Sequence, residues 1–110
     1  MKNLNLNYEG FEKYLVERED NPTRIGLRKL PGVRYVFRFE NNYGASVVKH
    51  LGSYGYDQDL WELAVIRFGK YDEDEDDVYI LTYDTPITDD IEGHLTDEDV
   101  RNLLARIKEL

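Results

Sequence analysis

The sequence predicts an α+β fold: an antiparallel sheet of about four strands, a meander, with an N-terminal and a C-terminal helix packed on it. Residues 33–84 contain four apolar runs separated by turn residues or a charged loop, as expected for strands joined by short connections. Residues 96–110 combine a helix-capping motif with an apolar stripe of helical period. A chain of 110 residues is expected to form a single domain, residues 1–110.

The first predicted helix begins at Asn7, a favourable N-cap residue, and runs to about residue 19. Its apolar side chains, Tyr8, Phe11 and Leu15, recur on one face. Residues 20–22 (DNP) would end the helix, because the residue before a proline is pushed out of the helical region. The alternation of apolar and basic residues over 24–28 then indicates a short edge strand.

Four further strands are predicted at 33–40 (VRYVFRFE), 45–51 (ASVVKHL), 60–68 (LWELAVIRF) and 78–84 (VYILTYD). In the first, Val33, Tyr35, Phe37 and Phe39 share one face, and Arg34, Arg38 and Glu40 share the other. The third is apolar on both faces except at two positions, which is typical of a central strand.

The C-terminal helix is predicted to begin at the N-cap Thr96, with Asp99 completing a motif like a capping box. Its apolar stripe consists of Val100, Leu103, Leu104, Ile107 and Leu110. Such a stripe must be buried, and one face of the sheet is the expected partner.

Charge is distributed unevenly along the chain. Residues 1–70 carry a net charge of +2 and residues 71–110 a net charge of −11, out of a total of −9. This balance argues against non-specific nucleic-acid binding, which depends on basic surface. It favours a protein partner with a basic or nucleic-acid-binding surface, with neither direct nucleic-acid contact nor membrane contact. A homodimer formed through an exposed sheet edge is also possible.

Three tyrosines in predicted turns form a candidate interaction surface: Tyr43, Tyr54 and Tyr56. Tyrosine supplies large, stiff contact area together with a hydroxyl group that can hydrogen-bond. The acidic run at 72–77 adds Asp72, Asp74, Asp76 and Asp77. This run does not fit a calcium loop, because the positions that require glycine and glutamate hold Asp77 and Tyr83. No metal or other cofactor is therefore predicted.

The alternative interpretation is a small-ligand or nucleotide-binding module with a polar pocket at the sheet edge. Its residues would be Asn41, Asn42, Ser53, Asp84, Thr85, Asp89 and Asp90. A hydrolase that uses Asp84, Asp89, Asp90 and a histidine is a third hypothesis. The sequence contains neither a nucleophile elbow, a phosphate-binding loop nor a cysteine, so no catalytic residue is predicted.

The chain contains a run of short motifs at Asn42–Ser46 (NYGAS), Ser53–Gly55 (SYG), 60–68 (LWELAVIRF) and 84–90 (DTPITDD). In these it resembles a family of small proteins encoded by bacteriophages and prophages, over roughly residues 39–96. The resemblance implies a viral context, in the cytoplasm of a bacterial host, and no catalytic residues. The absence of a signal peptide or an apolar membrane span in the sequence agrees with that location.

The function predicted from these observations is that of a non-enzymatic accessory protein that binds a host or viral macromolecule through an acidic surface. A sharper form of this hypothesis is an inhibitor of a host defence nuclease, in which carboxylates stand in for phosphates.

Overall fold

The computed structural model describes residues 2–69, 78–81 and 92–110. Its strands are β1 (Leu15–Asp20), β2 (Arg24–Ile25), β3 (Arg28–Lys29), β4 (Gly32–Arg38), β5 (Tyr43–His50), β6 (Trp61–Gly69), β7 (Val78–Leu81) and β8 (Glu92–Leu95). One α-helix, α1 (Asp97–Lys108), and two 3-10 turns, Glu12–Tyr14 and Tyr56–Gln58, complete the described elements.

The main sheet is antiparallel and has the order β1-β4-β5-β6-β7, with β8 also paired to β6. Strand β6 is central, since it pairs with β5 along one edge and with β7 and β8 along the other. Strands β2 and β3 form a separate hairpin.

The predicted α+β fold with two helices and about four strands is therefore wrong. The described residues form a mostly β protein, in which a six-stranded sheet carries one helix. The four strands β4 to β7 do pair consecutively as a meander, but β1 and β8 extend the sheet beyond it.

The largest error is the N-terminal helix. Gly10 has a φ of +93°, which breaks a helix, and Asn7 accepts a hydrogen bond from the Glu9 N–H within a local turn instead of capping one. Residues 15–20 then pair with β4. Glu19 lies opposite Arg34 and its carboxylate is 2.5 Å from the guanidinium. Pairing with the edge of β4 outweighs a helical periodicity that only three apolar side chains support.

The edge strand predicted at 24–28 is also different in the structure. These residues form the hairpin β2–β3, with Arg24 opposite Lys29 and Ile25 opposite Arg28. Gly26 lies in the turn with a φ of +60°, a conformation that glycine adopts at little cost. The hairpin stays outside the main sheet because β4 already pairs with β1 and β5.

One face of the sheet forms the hydrophobic core. The side chains that β4 contributes to this core are Val33, Tyr35 and Phe37, as its sequence predicts. The rest of the core comes from β5, β6, α1 and the N-terminal segment. Its largest fully buried members are Trp61, Phe37, Phe39, Leu63, Leu104 and Ile107. Leu6 and Tyr14 cover the same face from the irregular N-terminal segment.

Helix α1 begins and ends as its sequence requires. The Thr96 hydroxyl accepts a hydrogen bond from the Asp99 N–H, and the Asp99 carboxylate accepts one from the Thr96 N–H, which confirms the capping box. At the other end the Asn41 amide donates to the carbonyl oxygens of Ile107, Lys108 and Leu110. Among the described helices, none has the length and apolar character needed to cross a bilayer.

Candidate functional site

Strand β5 separates the residues of the predicted pocket. Asn41 and Asn42 precede it and Ser53 follows it, so eight strand residues, roughly 25 Å, lie between them. Each has a local structural role: Asn41 caps α1, Asn42 accepts a hydrogen bond from Arg38, and Ser53 accepts one from the His50 N–H. The structure does not bring these three together. The other pocket residues, Asp84, Thr85, Asp89 and Asp90, lie outside the described residues.

The three tyrosines of the predicted interaction surface are also divided between the two ends of the sheet. Tyr43 is half-buried at the start of β5, with the Arg67 guanidinium 6.0 Å from its ring. Tyr56, at the other end, is half-buried beneath the Lys2 ammonium group, 4.8 Å away. Tyr54 alone of the three has an exposed ring, at 62% of its maximal surface. The acidic members Asp72, Asp74, Asp76 and Asp77 lie outside the described residues.

The backbone that carries Tyr54 is held on two sides. Its N–H donates to a Glu62 carboxylate oxygen at 3.0 Å, and its carbonyl accepts from the His94 N–H at 3.5 Å. A methyl group at Gly93 would lie 2.5 Å from the Tyr54 Cβ, so glycine is what permits β8 to approach this closely. Tyr54 is therefore an exposed aromatic side chain on a fixed backbone.

Several carboxylates lie on the loop that carries Tyr54 and on the segments next to it. The loop 51–60, the strand β8 and the start of α1 meet at one end of the sheet, which we call the acidic end. Its carboxylates are those of Asp57, Asp59, Glu62, Glu92, Asp97 and Glu98. Asp59, Asp97 and Glu98 line a depression of about 420 Å³, together with Trp61 at its base.

A buried lysine lies beneath this depression. Lys49 is 2% exposed, and its ammonium group donates to the Asn3 carbonyl at 2.7 Å and to the Asp59 carboxylate at 2.9 Å. It also lies 4.3 Å from the centre of the Trp61 ring. These contacts satisfy the cation, so its role is to tie the N-terminal segment to β5. The sequence could have predicted the burial of Lys49, because strand alternation places it on the same face as the buried Val47.

The pKa of Asp59 lies below its ordinary value. Partial burial acts to raise it, but hydrogen bonds from Lys49 and from the Asn3 N–H, with the charges of Lys49 and Lys2, outweigh that effect. The pKa of Asp99 is lowered as well, by the hydrogen bonds it exchanges with Thr96. Both carboxylates are therefore stabilised in their ionised forms by folding.

These shifts predict acid sensitivity. Because the folded-state pKa is below the unfolded value of about 3.9, the stabilisation is present above about pH 4 and is lost as the pH falls through the folded-state pKa. Urea unfolding followed by circular dichroism should show the midpoint decreasing between about pH 5 and about pH 2.5. Asp59→Asn should weaken this dependence.

Asp57→Asn is the matched control, because the Asp57 side chain makes no hydrogen bond within the described part of the chain. It should retain the wild-type pH profile. Equal profiles for Asp59→Asn and the wild type would contradict the role assigned to the Lys49–Asp59 contact.

The described residues form a small, mostly β protein with an exposed tyrosine and exposed carboxylates at one end of its sheet. This chain matches no protein-family model, no curated protein and no solved structure.

Proposed function

We propose that this protein is a non-enzymatic accessory protein of phage or prophage origin, which binds a host or viral macromolecule through its acidic end. The observation that carries the proposal is Tyr54, an exposed ring on a backbone fixed by Glu62 and His94. A stiff aromatic side chain loses little conformational entropy on binding, and tyrosine is enriched among residues that dominate binding energy.

The surroundings of Tyr54 define the partner's chemistry. Asp57, Glu92 and Glu98 are exposed, and within the described residues their side chains form no ion pair. A basic protein surface would complement them and would be attracted from a distance. Nucleic-acid-handling proteins carry such surfaces, which supports the narrower hypothesis of a nuclease inhibitor.

Affinity capture tests the proposal. Immobilised wild-type protein should recover, from the bacterial host's lysate, proteins with basic nucleic-acid-binding surfaces. Recovery should fall between about 0.05 M and about 0.5 M NaCl, because salt screens exposed charges. Tyr54→Ala should reduce it about tenfold or more, as expected for an anchor worth roughly 2 kcal/mol. If the captured protein is a nuclease, added duplex DNA should compete with the immobilised protein for it and reduce its recovery.

Val16→Ala is the matched control. Val16 is also an exposed apolar residue, at 56%, but it lies on the edge strand β1. The Val16→Ala variant should leave the recovery of the partner unchanged. Capture that is equal for Tyr54→Ala and the wild type, or that does not respond to salt, would contradict the proposal.

A further inference from the structure

The tip of the hairpin β2–β3 is the most exposed apolar site of the described residues. Leu27 is fully exposed, and Ile25 is 68% exposed. Burial of a leucine side chain stabilises a protein by about 1.5–3 kcal/mol. In the isolated chain Leu27 makes no such contribution, because it is fully exposed. The hairpin is nevertheless well defined, since Leu30 N–H donates to the Thr23 carbonyl at its base.

The hairpin is also basic. Arg24 lies directly opposite Lys29, and Arg28 follows on the other face. Like charges opposite each other in a strand pair are destabilising. Within the described residues, the side chains of these three cations form no ion pair and no hydrogen bond. An anionic surface placed against the hairpin would remove this repulsion.

The hairpin lies beside the acidic end of the same molecule. The Leu51 N–H, in the loop 51–60, donates to the Pro31 carbonyl just after the hairpin. Pro22 and Thr23 at the hairpin base line the same depression as Glu62. A basic, apolar projection and an acidic surface therefore occupy one end of the molecule, side by side.

We propose that a second copy of this chain binds here, so that the hairpin of each copy contacts the acidic end of the other. A two-fold axis through this end produces both contacts at once and closes the assembly as a dimer. The inference rests on the proposed function, because it assigns one particular basic partner to the same acidic end.

The available surface is sufficient for such a dimer. A stable interface buries about 800 Å² per partner, roughly a ninth of this chain's 6980 Å². Four of the exposed large apolar side chains belong to the hairpin and the loop 51–60: Ile25, Leu27, Leu51 and Tyr54. They would form the apolar centre of the interface, and the opposite charges its rim.

A charge exchange tests the proposal. One variant reverses the hairpin (Arg24→Glu, Arg28→Glu, Lys29→Glu), and the other reverses exposed residues of the acidic end (Asp57→Lys, Glu92→Lys, Glu98→Lys). Sedimentation equilibrium of the wild type should give twice the 13.0 kDa chain mass, and each variant alone should be monomeric. An equimolar mixture should recover the dimer, since each reversed hairpin then faces a reversed acidic end.

Leu27→Ser supplies a variant that changes no charge. It should weaken dimerisation at least tenfold and leave the circular dichroism spectrum unchanged, because the Leu27 side chain is fully exposed. A wild type that is monomeric at the highest concentration would overturn the proposal. So would a dimer that tolerates hairpin reversal, a mixture that stays monomeric, or binding of the hairpin to anionic vesicles or DNA by a monomer.

The two proposals fail separately. A monomer that captures a basic host protein through Tyr54 would overturn the dimer and leave the proposed function standing. A dimer that captures no such protein, even when diluted below its dissociation constant, would overturn the proposed function alone.

Discussion

Replacing Gly44 by alanine is expected to reduce the free energy of unfolding by about 3 kcal/mol, the upper part of the range for overpacked cores. Gly44 lies in β5 opposite Arg38 of β4 and Ile66 of β6. A methyl group there would overlap the Phe37 carbonyl oxygen and would lie 2.9 Å from the Phe37 carbonyl carbon. Both are backbone atoms of the adjacent strand, which cannot move away without disturbing the β4–β5 hydrogen bonds.

The effect should be visible as a lower urea midpoint with an unchanged dependence on denaturant. The free energy of unfolding of a small domain is typically about 5–15 kcal/mol, so a loss of this size is a large fraction of it. At the lower end of that range, part of the population would be unfolded at room temperature. Circular dichroism and the fluorescence of Trp61, the only tryptophan, provide two independent probes.

Gly69→Ala is the matched control, made at the last residue of β6. Among the described residues, no atom lies within 4 Å of the methyl group that it would add. Its unfolding free energy should stay within about 0.5 kcal/mol of the wild type, as for most open surface positions. Similar losses for the two variants would contradict the role assigned to the contact with Phe37, because only Gly44 lies against that backbone.

The parts of the fold that the sequence predicted are those that depend on local chemistry. Helix α1 follows from the Thr96–Asp99 capping pair and its apolar stripe, all within one segment. The inward face of β4 follows from the apolar residues at every second position from Val33 to Phe37. Such signals need no knowledge of distant neighbours.

The parts that were missed depend on distant partners. Residues 15–20 carry no apolar alternation, and they form β1 by pairing with β4, a strand that begins twelve residues later. Glu17 and Glu19 also reach Arg34 on that strand. The hairpin β2–β3 has strands of two residues each, too short for any periodicity. Local patterns cannot indicate pairing of this kind.

The same distinction applies to the candidate site. Tyrosine-rich turns predicted Tyr43, Tyr54 and Tyr56 together, but exposure separates Tyr54 from the other two, and exposure is a property of the packed molecule. The carboxylates of the acidic end come from the loop 51–60, β6, β8 and α1, so no single stretch of sequence contains them. The acidic end exists only after β8 and α1 have been brought beside the loop.

Trp61 connects the core with the acidic end. Its ring is 1% exposed and packs edge-on against Tyr35, with centroids 5.8 Å apart, and the Lys49 ammonium group lies over it. Its indole N–H donates to the Asp97 carboxylate at 2.6 Å, at the start of α1. One side chain thus contacts β4, β5 and the helix N-terminus.

Trp61→Ala is therefore expected to cost about 3–5 kcal/mol of unfolding free energy, through lost burial and the cavity left behind. Trp61→Phe is the informative partner variant, since it keeps an aromatic ring but removes the N–H donor. It should cost less, because the half-buried Asp97 carboxylate can hydrogen-bond to water in place of the indole. Circular dichroism must be the probe, because both variants lack the only tryptophan. If Trp61→Phe and Trp61→Ala reduced the unfolding free energy equally, the hydrogen bond to Asp97, and not the packing of the ring, would be what joins α1 to the sheet.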